Sequence, residues 1–333
     1  MDILNALVAI LNFVVIPAAA YGAQLALGAL GVTLIYGILR FSNFAHGDTM
    51  AFGTAIVILL TWGLQSLGVS FGPLPSALLV LPLGMALTAA MALLTDRWVY
   101  RHYRRVRAAP IVVVMASVGV MFVMNGLTRL VIGVDEIQFA DGARFVISVP
   151  QFREMTGLRE GLAFRTTQAI TLVIAALAVW ALFVFLNRTR AGKAMRAYAD
   201  NEDLALLSGI DPDRVVRLTW IIATGLAVLA GTLYGLDKSF KAFNYFQILL
   251  PVFAAAIVGG LGSPIGAIAG GFLIAFSEVA LTYPWKKIAE YLGFAPEGLL
   301  QMLGTEYKLA ISFVILIVVL LVRPTGLFRG KAY

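Results

Sequence analysis

The sequence predicts an all-α, polytopic integral membrane protein with about eight to ten membrane segments, two pairs of them separated by glycine-rich breaks. Three observations carry this. The 333 residues are 60% hydrophobic and only 13% charged, whereas a soluble domain carries about 45–50% apolar and about 25% charged residues. Mean hydropathy is +0.90. The charges cluster in a few segments separated by long apolar runs, and a span needs about 20 apolar residues to cross the hydrocarbon.

Those runs cover 3–20, 21–39, 49–67, 75–95, 110–131, 168–187, 218–236, 248–262, 264–281 and 309–322. Backbone groups find no water in lipid, so each run is expected to be helical. The first Lys or Arg is Arg40. A signal peptide needs a basic start, so 3–20 is expected to be a retained membrane segment, spanning or re-entrant.

Residues 41–48, FSNFAHGD, interrupt the apolar stretch from 21 to 67, and 259–266, GGLGSPIG, interrupt that from 248 to 281. Asn43, His46 and Asp48 put polar groups in or near the bilayer. Such groups cost about 2.5–3.5 kcal/mol each when ionised and are functional candidates by default. A break lying at the membrane surface beside Arg40 would carry no such cost. A structural or gating role is favoured over substrate contact. In the second break Gly259, Gly260, Gly262 and Pro264 cannot sustain a regular helix. A gate hinge, a tight turn or a close helix crossing would each use them; small residues let helices approach in lipid, which favours the crossing. These seven residues are the candidates for a translocation path or gate. Glu278, on the following arm near its outer end, can pair with a cation or reach the interface, and the interface is favoured. Gln24 and Asn125 are expected to hydrogen-bond between helices.

Charge sets the orientation. Arg97, Arg101, Arg104, Arg105 and Arg107 crowd 96–109; Arg188, Arg190, Lys193, Arg196, Arg214 and Arg217 lie in 188–217; Arg323, Arg329 and Lys331 follow the last run. Positive loops stay inside. Loop 132–167 has four arginines against five acids and is expected outside. One span on each side of it agrees with that assignment, and the C-terminus falls inside. The net charge of +7 therefore reads as a topology signal, not as a nucleic-acid surface. No linker suggests a second domain.

Cysteine is absent and there are two histidines far apart, so thiolate metal sites are excluded and a histidine site has little to draw on. Ala191-Gly192-Lys193-Ala194 lacks the first glycine and the Ser/Thr of a phosphate-binding loop. No catalytic triad, nucleotide site or cofactor site is read elsewhere.

Segment 188–217 is too polar for the bilayer. Asp200 or Asn201 can cap a short helix over 202–208, and Gly209 can end it. That helix would show Asp203, Leu204 and Leu207 to a partner, and held between two spans it would act as a lever; an ordinary solvated loop is the alternative.

Asp203-Leu204-Ala205-Leu206-Leu207-Ser208-Gly209 resembles a degenerate form of the acid-x-Ala-x-x-x-Gly loop of ABC importer permeases. YGILRFSNFAHGD (36–48), RAGKAMRAYADNEDLALLSGI (190–210), FAAAIVGGLGSPIGAIAGG (253–271) and TEYKLAISFVILIVVLLVRPTG (305–326) resemble the permease subunits of branched-chain (hydrophobic) amino-acid ABC importers, and of these the H-type most. The matches keep family order along the whole chain, with departures at Ser42 and Asp48. The resemblance implies a single permease domain over 1–333 in a bacterial inner membrane. It implies a second, M-type permease, two ABC ATPase subunits that bind the ATP, and a periplasmic substrate-binding protein. It implies that Arg196, Asp200, Asn201, Glu202, Asp203, Leu204, Ala205, Leu207 and Gly209 form the ATPase-coupling contact. Branched-chain or other hydrophobic amino acids are the implied cargo; related importers carry urea, amides or small carboxylates. Two rival classes make different demands. An ion-coupled secondary transporter would want paired intramembrane ionisable groups, and Asp48 and Glu278 are the only obvious acids. A respiratory or scaffold subunit would want quinone or haem ligands.

Overall fold

The computed structural model describes residues 2–293, 298 and 300–328; Arg329 and Lys331 of the basic tail lie outside the described residues. Among the described residues nine helices are long and apolar enough to cross a membrane. They are α1 (Asp2–Leu39), α2 (His46–Ser66), α3 (Ala77–Arg105), α4 (Pro110–Ile132), α6 (Thr166–Arg188), α9 (Pro212–Lys238), α10 (Ala242–Gly259), α11 (Pro264–Thr282) and α13 (Thr305–Val322). Shorter helices lie between them: α5 (Val149–Thr156), α7 (Arg190–Asp200), α8 (Glu202–Leu207) and α12 (Lys286–Tyr291). The loop after α4 also holds an antiparallel strand pair, β1 (Phe145–Ile147) and β2 (Phe164–Arg165).

The first element departs from expectation. Segments 3–20 and 21–39 are one continuous helix of 38 residues, about 57 Å long at 1.5 Å per residue. Nothing between Ala18 and Tyr21 breaks a helix. Pro17 cannot donate to the carbonyl of Phe13, and the helix absorbs it with a π-helical turn over Leu11–Val15, where the Ile16 N–H reaches back to the Leu11 carbonyl. The first segment is therefore neither a separate span nor re-entrant.

Helix ends sort onto two faces. On one, the Arg40 guanidinium donates to the Ala199 carbonyl, Arg101 pairs with Asp213 at 2.7 Å, and Leu327 and Phe328 meet the end of α10. This is the arginine-rich face. On the other, Asp141 accepts from Gln65 and from the Ser76 backbone, at 3.0 and 2.7 Å. There Ile137 bridges Phe240, and Asn5 accepts from the Glu160 backbone at 3.1 Å. Nine crossings put Asp2 and Phe328 on opposite faces.

The core lies along α9 and the second half of α1, the most enclosed segments, while α13 is the least enclosed span. The broadest contact is between α1 and α11. It runs along Gly22, Ala26, Gly271 and Ala275, where a Cβ on Gly271 would stand 2.7 Å from the Ala26 nitrogen. Without a hydrophobic drive between helices in lipid, such close backbone approach supplies the packing. Apolar stripes at helical spacing stay uncovered: Ile111, Met115 and Phe122 on α4, Val173, Leu177 and Trp180 on α6, and Val314, Ile317 and Leu321 on α13.

Candidate functional site

On the arginine-rich face α7 and α8 form a packed bracket between α6 and α9. Thr189 caps α7, its hydroxyl accepting the Gly192 N–H at 3.0 Å. The inner face of α7, with Met195, Tyr198 and Ala199, packs against Ala205, Val215, Val216 and Trp220. Asn201, not Asp200, is the cap of α8: its backbone is extended and its Oδ1 accepts the Leu204 N–H at 3.0 Å. Glu202, on the first turn, accepts from the Tyr198 hydroxyl at 2.6 Å. Burial, then that carboxylate, pushes the Tyr198 phenol above its ordinary range, so it remains a donor. Gly209 follows with φ +81°, a left-handed conformation that glycine adopts without Cβ strain.

Residues 203 and 207 share a helix face, and 205 lies opposite. Accordingly Leu207 is 85% and Leu204 62% exposed, while Ala205 is 3% exposed. Asp200, Asn201, Glu202, Asp203 and Gly209 are also exposed. Two of the expected contact residues are placed differently. Ala205 faces inward and anchors the bracket, its carbonyl also accepting the Ile210 N–H at 3.1 Å. Arg196 is half-buried beneath the loop. It lines a narrow space of about 40 Å³ with Thr33, Gly37, Gly262 and Pro264, and its Nε is buried with no partner among the described residues.

Across that space the bracket adjoins the second break, which is a tight turn between two full-length spans. A Cβ on Gly259 would lie 2.0 Å from the Gly266 carbonyl oxygen, so α10 and α11 cross with backbones touching. Pro264 opens α11 behind the Ser263 cap, whose hydroxyl accepts the Gly266 N–H at 3.1 Å. Gly260, at φ +109°, passes under Phe328. The last carbonyls of α10, Val258 and Gly259, accept the amides of Leu327 and Phe328 at 2.9 and 3.0 Å. The tail therefore satisfies groups that a helix end otherwise leaves open.

The first break starts at the arginine-rich face with Arg40 and then runs inward along α1. His46, the first residue of α2, bonds the Gly28 carbonyl through Nε2 at 3.1 Å. Gly28 is about 16 Å back from the end of α1. Asn43 Oδ1 accepts from the Ala45 N–H and the Tyr100 hydroxyl, both at 3.2 Å. Tyr100 stacks on Trp220 with ring centroids 5.2 Å apart. The Trp220 indole donates to Asp96 at 2.8 Å, and Arg104 donates to the other Asp96 oxygen at 2.9 Å. Asp48 accepts from Asn125 at 2.7 Å, and its second oxygen is buried with no partner among the described residues. A surface position therefore describes Arg40 but not His46 or Asp48. The arm expected from residue 49 begins at His46, because the inward loop delivers the chain to α1's middle before the helix starts.

Both lone amides bond across helices, Asn125 to Asp48 and Gln24 to the Leu233 carbonyl at 3.4 Å. Glu278 corrects an expectation. It is 2% exposed, and Ser312 of α13 donates to it, so α13 covers the carboxylate that the sequence put at the interface. Asp96, Tyr100 and Trp220 gave no sequence signal: 124 positions separate the first from the last, and each alone reads as part of a basic loop or an apolar run. Among the described residues no group of acids and histidines is arranged to hold a metal.

A family model described as branched-chain amino acid transport system / permease component matches residues 15–320. The chain is 30% identical over 311 residues to the high-affinity branched-chain amino acid transport system permease protein LivH of Escherichia coli K12, covering 92% of this chain and 91% of that protein. It is 28% identical over 309 residues to the corresponding BraD of Pseudomonas aeruginosa, covering 92% of each. It is 29% identical over 150 residues to the E. coli K12 permease LivM, covering 41% of this chain and 35% of that protein.

Proposed function

The chain belongs to the family of permease components of branched-chain amino acid transport systems, and on that premise we propose that it is one permease subunit of an ATP-driven importer carrying branched-chain or related small hydrophobic amino acids into the cytoplasm. The observation that carries the reading is α8: a capped helix, anchored by Ala205, that holds Leu204 and Leu207 out in water. Leu204, Leu206 and Leu207 are exposed side by side, and a contiguous exposed apolar patch marks a docking site. The arginine-rich face is cytoplasmic by the positive-inside rule, which puts the tail inside and loop 133–165 in the periplasm.

Two ABC ATPases then bind and hydrolyse ATP beneath the membrane, and one of them seats α8. Likeness to both LivH and LivM supports a second permease, of the LivM kind, beside this one. A periplasmic binding protein delivers cargo to the opposite face. Movement of α8 is carried by close packing through Ala205 to Tyr198 and Trp220, and from there to Tyr100 and Phe41 at the first break. Arg196 of the bracket and Gly262 and Pro264 of the turn line one narrow space, so the turn adjoins the moving part. Interiors packed at crystal-like density transmit such displacements. In this reading Asn43, His46 and Asp48 hold the inward loop rather than touch cargo, and Gly259, Gly260, Gly262 and Pro264 form the pivot under the bracket.

Purification from the native membrane in mild detergent tests this. ATPase subunits are expected to accompany the wild-type chain. They are expected to be lost from Asp203→Lys, which changes an exposed side chain and leaves the fold intact. Purification of the wild type without any ATPase would refute the proposal.

A further inference from the structure

On the face opposite α8, the ends of α1, α9, α10, α11 and α13 line an open-sided cavity of about 610 Å³, within the range of about 300–1,000 Å³ usual for small-molecule sites. Its charges are of both signs. Glu278 is buried on one wall, and among the described residues no cation pairs with it within 4.0 Å. Lys238 and Lys308 line the same cavity. Lys238 stands 3.6 Å from Asp237, and Lys308 forms no ion pair among the described residues. Glu306 lies towards the start of α13.

Two prolines each withhold one backbone donor. Pro251 lies inside α10 and has no N–H for the carbonyl of Gln247, one turn back; Pro17 likewise cannot serve Phe13. All four residues line the cavity. Between the polar groups the wall is aliphatic and aromatic, with Ile248, Val279, Leu309 and Tyr21.

We propose that this cavity is a reception site for an α-amino acid zwitterion with an aliphatic side chain. The ammonium meets Glu278, the carboxylate lies between Lys238 and Lys308, and the side chain rests on Ile248, Val279 and Leu309. A zwitterion satisfies both signs at once, whereas a 2-oxo acid leaves the buried Glu278 unpaired, the costly case, and an amine gives the exposed Lys238 and Lys308 no anion. The inference rests on the importer reading, which brings cargo to this face, and it places cargo inside this subunit before passage.

The chain has no cysteine, so one introduced thiol reports the cavity alone. Gln247→Cys is made in this chain of the complete transporter, with any partner cysteines replaced. It is labelled in right-side-out vesicles with a membrane-impermeant methanethiosulfonate, with and without leucine. At leucine ten times its Kd, labelling is expected to slow about tenfold, the 1 + [L]/Kd factor. Isoamylamine and 2-oxoisocaproate at the same concentration are expected to leave it unchanged. Glu278→Gln on the Gln247→Cys background is expected to abolish the protection. Thr305→Cys, on the wall across from α10, is the second probe if Gln247→Cys does not assemble. Unprotected labelling in a complex that imports leucine would overturn the cavity and leave the importer reading standing, as would protection that survives Glu278→Gln. A parent complex that imports no amino acid would overturn both.

Discussion

Replacing Leu207 by Ser separates docking from folding. In the free chain Leu207 is 85% exposed and stands beyond the Asn201 cap and the Ala205 anchor, so its loss leaves both intact. A surface change of this kind shifts stability by no more than about 0.5 kcal/mol. In the complex the same side chain is removed from water, and burying a Leu fully is worth about 1.5–3 kcal/mol. The ATPase Kd is therefore expected to rise roughly 10–100-fold. The assay is a titration of purified ATPase subunits against the permease pair in nanodiscs, with thermal stability measured in parallel. Ala205→Asp is the contrasting variant: it buries a carboxylate against Tyr198 and Val216 and is expected to lower stability and ATPase binding together. Unchanged ATPase affinity in Leu207→Ser would refute the docking surface on α8.

Two further outcomes follow from the geometry. Gly259→Ala drives a methyl group to 2.0 Å from the Gly266 oxygen, where backbone, not a flexible side chain, must yield. A cost at or above the about 1–3 kcal/mol of an overpacked core is expected, read as a lower melting temperature in detergent; an unshifted melting curve would mean α10 and α11 do not cross this closely. Near the other face, burial pushes the Glu160 carboxyl upward, but hydrogen bonds from Lys287 and Tyr291 and the Lys287 charge outweigh it and hold it below its usual 4.5. The Tyr291 phenol is pushed up to about 12, chiefly by its bond to Glu160. A depressed carboxyl stabilises above the unfolded value and loses that contribution as pH falls through the folded value. Protection of α12 against hydrogen exchange, corrected for the intrinsic rate at each pH, is therefore expected to fall below pH 4.5, and Glu160→Gln to abolish that step; an unaltered profile would contradict it.

Much of this architecture was legible because lipid imposes a length and a polarity rule. The apolar runs from 110–131 and 168–187 became α4 and α6 within a few residues, and their arginine flanks sorted the faces. The α8 cap was legible because Asn201 and Gly209 act locally. What failed was what depends on neighbours. The junction of 3–20 with 21–39 looked like a boundary, yet a π turn let one helix run through Pro17. Ala205 sits inside a motif that reads as a contact surface, but helical phase turns it inward. Glu278 looked interfacial because nothing local reveals that α13 covers it. The bond from Trp220 to Asp96 joins segments that only the fold brings together.

We propose that this chain moves its cargo on the energy of ATP bound by partners, through α8. The most direct measurement is radiolabelled leucine uptake into proteoliposomes holding the two permeases and two ATPases, with the binding protein outside and ATP enclosed. Uptake is expected to require enclosed ATP, to ignore collapse of proton and sodium gradients, and to fall in Leu207→Ser. Uptake by this chain alone, driven by an ion gradient without ATP, would contradict ATP-driven import.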